Sequence, residues 1–145
     1  MSSKLGNMLV QKGLITRDQR DAALQKQRQS RQFLGEILVD DGALDERVLL
    51  QTLAEQHELP FVDLNSLVIP PDVLAQVPAK FAWHYNIMPI EIDDHSLTIA
   101  MSNPFDTWPV DDLEANLGFR VKKALAVSAG IQDAIKRHYG VAADT

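Results

Sequence analysis

Apolar residues in the first third of the chain recur at spacings of three and four, in short runs that stop at glycine. Leu5, Met8 and Leu9 form one run, followed by Gly13; Leu34, Ile37 and Leu38 form another, followed by Gly42. That spacing puts the apolar side chains on one helical face, and glycine readily takes the left-handed conformation that ends a helix. A cap and a second run follow each glycine. Thr16, with Gln19 three residues on, gives a capping-box pattern ahead of Ala22, Ala23 and Leu24. Asp45 stands in the same place ahead of Val48, Leu49, Leu50 and Leu53. The pattern predicts four short helices, at 5–12, 17–30, 34–41 and 46–57. Isolated helices shorter than about 12–15 residues are marginal in water, so these four must pack on one another.

The two halves of this region are copies. Residues 4–27 lie over residues 33–56 at a constant offset of 29 with no gap. Leu5, Gly6, Leu9, Val10, Gly13, Leu24 and Gln27 meet identical residues at Leu34, Gly35, Leu38, Val39, Gly42, Leu53 and Gln56. Unrelated segments of this length would share roughly one or two identities. A tandem unit of this kind builds either a stacked helical module or a ligand site of two-fold character. Gly6 and Gly35 stand inside short helices, where glycine costs about 1 kcal/mol against alanine. Close approach of a flat ligand and a crowded helix crossing both account for that cost. Gln27 and Gln56 place the same amide, donor and acceptor at once, at the end of each copy.

After Glu58 the pattern changes. Residues 60–64 (PFVDL) read as extended, Pro70-Pro71-Asp72 opens a helix over 72–76, and a second helix falls near Lys80–Tyr85. Ile87–Ile92 and Ser96–Met101 alternate as strands, with a turn at Asp93-Asp94-His95. Asn103-Pro104-Phe105-Asp106 is expected to start a helix ending near Leu117, with Gly118 as its stop. Phe119–Val127 reads as a third strand, and Ser128 as the cap of a last helix that Gly140 ends before a ragged tail. The predicted fold is α+β: a subdomain of four short helices over 1–58, then a small α/β subdomain with about three strands over 59–145.

Composition narrows the chemistry. With 145 residues, 46% of them hydrophobic, the chain can bury a real core. There is no cysteine, hence no disulfide framework and no thiolate metal site. The start lacks the apolar core of a signal peptide, and no apolar run approaches the ~20 residues that cross a bilayer, so a cytoplasmic location without membrane insertion is expected. The net charge of −6 is uneven. Residues 1–32 carry seven bases and two acids, +5, and the remainder carries −11. A basic head on an acidic body suggests an anionic partner for the head, or docking of head on body. The four histidines have no metal-ligand spacing, and no GxxxxGK[ST] loop is present. His95 beside Asp93 and Asp94 reads as a hairpin turn, and Asp106, Asp111, Asp112 and Glu114 read as charge favourable to a helix start. Catalytic residues are therefore expected to be absent, as are a metal site and a cofactor.

The doubled LGxxLxxxG…LxxQ pattern with its five-residue spacer, followed by LPFVDL and an NPxD loop, resembles the amino-terminal domain of type II secretion and type IV pilus assembly ATPases. It resembles above all the MshE-type branch, whose members bind cyclic di-GMP. The resemblance implies a ligand lying along both copies, against Leu5, Gly6, Leu9, Gly13, Leu24 and Gln27 in the first. In the second it implies Leu34, Gly35, Leu38, Gly42, Leu49, Leu53 and Gln56. The family opens each copy with arginine, where this chain has Lys4 and Phe33. Lysine keeps the charge but not the planar fork; phenylalanine offers only packing or stacking. Arg20 replaces a mid-motif leucine that Leu49 retains, and Asn103 replaces the first aspartate of a DPxD loop. Lys4, Arg28 and Arg31 are candidates for phosphate contact. The expected partners are cyclic di-GMP and an effector, attached or separate, such as a hexameric secretion or pilus ATPase with its inner-membrane partners. A docking module that no longer binds nucleotide remains the alternative. DNA is not expected, because Glu36, Asp40, Asp41, Asp45 and Glu46 surround the second copy and would repel phosphate.

Overall fold

The computed structural model describes residues 4–140. The first three residues and the tail after Gly140 lie outside the described residues. Among the described residues the protein is α+β, with eight α-helices and a three-stranded mixed sheet. These fall into two compact units that divide between Glu58 and Leu59.

The first unit holds α1 (Lys4–Gln11), α2 (Arg17–Gln27), α3 (Leu34–Asp40) and α4 (Glu46–His57). From Leu5 onward α1 and α3 correspond residue for residue at the offset of 29, and α2 and α4 do so to their last turn. Both first helices end in the same way. Leu14 and Gly13 donate their N–H groups to the carbonyls of Leu9 and Val10, each at 3.0 Å. Ala43 and Gly42 donate to Leu38 and Val39, again at 3.0 Å. This double closure needs a left-handed residue, supplied by Gly13 (φ 73°) and Gly42 (φ 76°). The predicted caps also form. Thr16 Oγ1 accepts from Gln19 N–H at 3.1 Å while Gln19 Oε1 accepts from Thr16 N–H at 2.8 Å, and Asp45 Oδ2 accepts from Arg47 N–H at 3.1 Å. The second helix stops at Gln27, short of the expected residue 30, because Gln29 and Ser30 turn more tightly onto Lys26 and Gln27.

The two copies pack reciprocally. The contact of α1 with α4 has its counterpart in the more extensive contact of α2 with α3, and α1 touches α3 directly. Lys12 Nζ pairs with Glu55 at 2.8 Å, and Lys26 Nζ pairs with Asp41 at 2.6 Å. At the repeat offset, Lys12 corresponds to Asp41 and Lys26 to Glu55. Exchanging the copies therefore turns one ion pair into the other with its signs reversed. Each pair is exposed and contributes at most about 1 kcal/mol, but together they neutralise part of the basic head.

The second unit is built on β1 (Met88–Ile92), β2 (Ser96–Met101) and β3 (Arg120–Leu125), in that spatial order. Strands β1 and β2 run antiparallel with a register shift between Pro89 and Glu91; β2 and β3 run parallel, from Ser96 beside Arg120 to Met101 beside Leu125. The parallel step is made by a crossover through the helix over Trp108–Leu117. The numbered helices here are α5 (Pro71–Leu74), α6 (Ala79–Tyr85), α7 (Trp108–Leu117) and α8 (Ser128–Tyr139), with a short 3-10 turn at Leu64–Ser66. Leu97, Ile99, Leu113, Leu125, Ile131 and Ile135 form the core. The extended segment bridges Phe61 to Leu125: Val62 N–H donates to the Leu125 carbonyl at 2.9 Å, and Leu125 N–H to the Pro60 carbonyl at 2.8 Å.

Two expected helix starts are corrected. Asn103–Asp106 is a turn, not a first helical turn: Asn103 Oδ1 accepts from Phe105 N–H at 3.0 Å and Asp106 Oδ1 from Trp108 N–H at 3.2 Å, so α7 begins at Trp108. Val127 is the N-cap residue of α8, and Ser128 is already helical, its Oγ accepting from Asn86 Nδ2 at 2.9 Å. The acidic residues of α7 also have specific partners. Asp112 Oδ2 accepts a hydrogen bond from the Tyr85 hydroxyl, and Glu114 Oε2 accepts from Val121 N–H at 2.9 Å.

The β1–β2 turn is organised by Asp93, whose carboxylate accepts from the N–H groups of His95 (2.9 Å) and Ser96 (2.7 Å) and from Ser96 Oγ (2.8 Å). The His95 N–H foremost, then the Ser96 hydroxyl and N–H, hold this carboxyl at about 2, below its ordinary 3.8. A depressed carboxyl binds fewer protons folded than unfolded, so its stabilisation is present above pH 3.8 and is lost as pH falls toward 2. Urea unfolding at stepped acid pH is expected to show wild-type stability falling more steeply over that window than that of Asp93→Asn; parallel profiles would contradict the assignment.

Candidate functional site

In each copy, the glycine of the first helix lies under a side chain fourteen residues on. A methyl group built on Gly35 would come within 2.7 Å of Leu49 Cδ1 and 2.8 Å of Leu49 Cδ2. On Gly6 it would meet Arg20 Cγ at 3.1 Å and Leu34 Cδ2 at 3.2 Å. Of the two explanations the sequence left open for these glycines, the helix crossing is the one the geometry provides.

The candidate residues separate into an interior set and a surface set. Leu5, Leu9, Leu34, Leu38, Leu49 and Leu53 are buried with Gly6 and Gly35, and Leu9 and Leu38 have no exposed surface. These leucines are the packing of the unit. Leu24, Gln27 and Gln56 are half-buried, while Lys4, Gly13, Arg31 and Gly42 are exposed. Gln27 Nε2 donates to the Gln32 carbonyl at 3.4 Å, so the first glutamine faces the spacer between the copies. Phe33 is the N-cap residue of α3 with extended backbone, and it is 38% exposed at the place where Lys4 opens α1. Asn103 is the one candidate carried by the second unit; it is half-buried, with its Oδ1 already accepting from Phe105 N–H.

Charge differs between the two copies at matched positions. Near α1 the polar groups are Lys4, Asn7 and Arg20; near α3 their counterparts are Phe33, Glu36 and Leu49. Burial, aided by the neighbouring Asp40, raises the Glu36 carboxyl above its usual range. Arg20, where the first copy departs from the repeat, lies outside the candidate ligand contacts. Among the described residues, no group of three or more histidine or acidic side chains is arranged to hold a metal ion, and no helix is long and apolar enough to cross a membrane.

A family model of the MshEN domain matches residues 57–145, more than half of the chain. The chain belongs to the MshEN domain family. The match covers the second unit, and the tandem copies precede it. Over 139 residues, this MshEN chain is 32% identical to the type IV pilus assembly ATPase PilB of Myxococcus xanthus (strain DK1622), covering 96% of the chain and 25% of that protein. It therefore spans about a quarter of that relative's length. The solved structure of MshE with cdg (cyclic di-GMP) superposes with a TM-score of 0.82 at 29% identity, covering 95% of this chain and all of that one. The N-terminal domain of XpsE shares the fold, with a TM-score of 0.73 at 20% identity over 94% of this chain and 98% of that one. The α+β architecture expected from the sequence is thus that of the MshE and XpsE amino-terminal domains.

The glycine packing is directly testable. Gly35→Ala gains about 1 kcal/mol of helix propensity, but its methyl group must displace a buried leucine from 2.7 Å, a strain of about 1–3 kcal/mol. Net destabilisation is expected for Gly35→Ala in urea, and a smaller effect for Gly6→Ala, which meets a flexible arginine stem. A stabilised Gly35→Ala would show that the crossing is loose.

Proposed function

We propose that this MshEN chain is a non-catalytic receptor domain for cyclic di-GMP, acting in the cytoplasm on an attached or partner ATPase of the secretion or pilus-assembly type. The observation that carries the reading is the reciprocal packing of two copies with matched caps, glycines and glutamines. A ligand with two guanines and two phosphates can meet similar groups from each copy. The likeness to MshE with cdg supports the same reading.

The buried leucines and glycines then hold the frame, and the accessible groups contact the ligand. Gln27 and Gln56 present amides that both donate and accept, suited to a base edge. Lys4 and Arg31 supply positive charge for phosphate, and Phe33 supplies an aromatic face on which a base can stack. Exposed Gly13 and Gly42 leave backbone open to close approach, and half-buried Leu24 adds apolar lining. Regulation of an ATPase requires only that the ligand bind two states of the assembly unequally. Loss of both opening arginines, at Lys4 and Phe33, favours a second reading, in which the copies are a protein-docking scaffold without nucleotide.

Calorimetric titration with cyclic di-GMP, against GTP and cyclic di-AMP, separates the two. Saturable binding of cyclic di-GMP alone is expected. The double variant Gln27→Ala with Gln56→Ala is expected to bind about thirtyfold more weakly, two hydrogen bonds at about 1 kcal/mol each, with an unchanged urea midpoint. Full affinity in the double variant would reject the assigned contacts. Absence of binding by folded wild-type protein would leave the docking scaffold.

A further inference from the structure

We propose that Arg20 is a ligand-binding residue, a guanidinium on the first copy with no counterpart in the second, so that the two-fold nucleotide is read asymmetrically, its phosphate charge held on the first copy. This inference rests on the cyclic di-GMP reading and specifies which copy carries the anion contact.

Packing alone does not ask for arginine at this position. Leu49, the counterpart of Arg20, fills the space over Gly35 as an apolar side chain, and a leucine at position 20 would do the same over Gly6. Instead the Arg20 stem covers Gly6, and its head extends beyond the crossing. Nη1 donates to Asn7 Oδ1 at 3.0 Å and Nε donates to Asp21 Oδ1 at 3.1 Å. The side chain is 24% exposed and its ion-pair partner Asp21 is 63% exposed. A guanidinium carries five N–H donors in a fixed fork, so these two bonds leave donors for an anion. Asn7 stands three residues from Lys4 on α1, and residues at that spacing share a helix face. The bond to Asn7 thereby brings the guanidinium to the face where Lys4 presents its ammonium. Packing against Gly6 and bonding to Asn7 hold the fork in place before a ligand arrives, and a fork of this shape matches a phosphate in two-point contact. At the corresponding place the second copy has Phe33 and Leu49, which bring no positive charge.

The test is titration with cyclic di-GMP at low and high salt for wild type, Arg20→Leu, Arg20→Met and Arg20→Lys. Leucine already serves this crossing in the second copy, and methionine keeps the unbranched stem on Gly6 should leucine disturb the fold. Both neutral variants are expected to lose about tenfold in affinity at low salt and to show flatter salt dependence. Arg20→Lys is expected to keep most of the salt dependence with an intermediate affinity. Neutral variants that stay folded and bind as tightly as wild type, with the same salt dependence, would overturn the proposal and leave Arg20 a packing residue. Sensitivity of binding to the glutamine double variant alone would retain the receptor reading and reject Arg20. No binding by wild type rejects both.

Discussion

Helix α3 has seven residues, and the orphaned N–H groups of a helix's first turn and carbonyls of its last leave so short a helix little hydrogen bonding of its own. Its stability has to come from the surface it lies on. Gly35 supplies that surface by letting Leu49 come down onto the helix axis, closer than a methyl group would allow. The left-handed exits at Gly13 and Gly42 and the caps at Thr16 and Asp45 then aim each second helix back across the first. Crossing, exit and cap form one device, used twice, and every candidate contact in the first unit depends on where it places the helix ends.

What the duplication preserved and what it let drift are different things. The backbone plan survives almost residue for residue, while charge has diverged in a correlated way. Bases at Lys12 and Lys26 face acids at Glu55 and Asp41, each the counterpart of the other pair's base. The charge asymmetry of the sequence is therefore partly internal: one copy is the other's counter-ion. Bases outside those two pairs, Lys4, Arg28 and Arg31 among them, together with Arg20, which pairs with Asp21, are the ones the proposed anionic ligand would meet. On the second copy, Phe33 and Glu36 make the matching surface apolar and acidic, above the buried Leu49.

The sequence made the repeat, the glycine exits and the first-unit caps legible because each is local, its cause lying within about five residues. The three strands were legible from alternation and the Asp93 turn from its turn residues, whereas the parallel pairing of the second and third strands was not. Less of the rest could be read. Whether Gly6 and Gly35 serve a ligand or a crossing depends on a side chain in another helix, which spacing alone does not reveal. Asn103 and Asp106 are good cap residues by type, yet both bend a turn ahead of α7, since side-chain oxygens of this kind bond local N–H groups in turns as readily as at helix starts. Ser128 missed the cap by one residue because Asn86, distant in sequence, uses its hydroxyl. Six leucines expected as ligand contacts are buried, and their burial is set by helices distant in sequence, which spacing alone does not show.

The bridge at Phe61 bears on how this chain can be divided. Pro60 and Val62 complete the hydrogen bonding of Leu125 on the outer side of β3, so the segment just after the unit boundary acts as a selvage that finishes the sheet. A fragment meant to represent the second unit should therefore begin no later than Leu59. Begun a few residues further on, it would carry an unfinished strand, and unpaired strand edges recruit other chains. The place where the sequence changes texture, after Glu58, is thus also the last place where the chain can safely be cut.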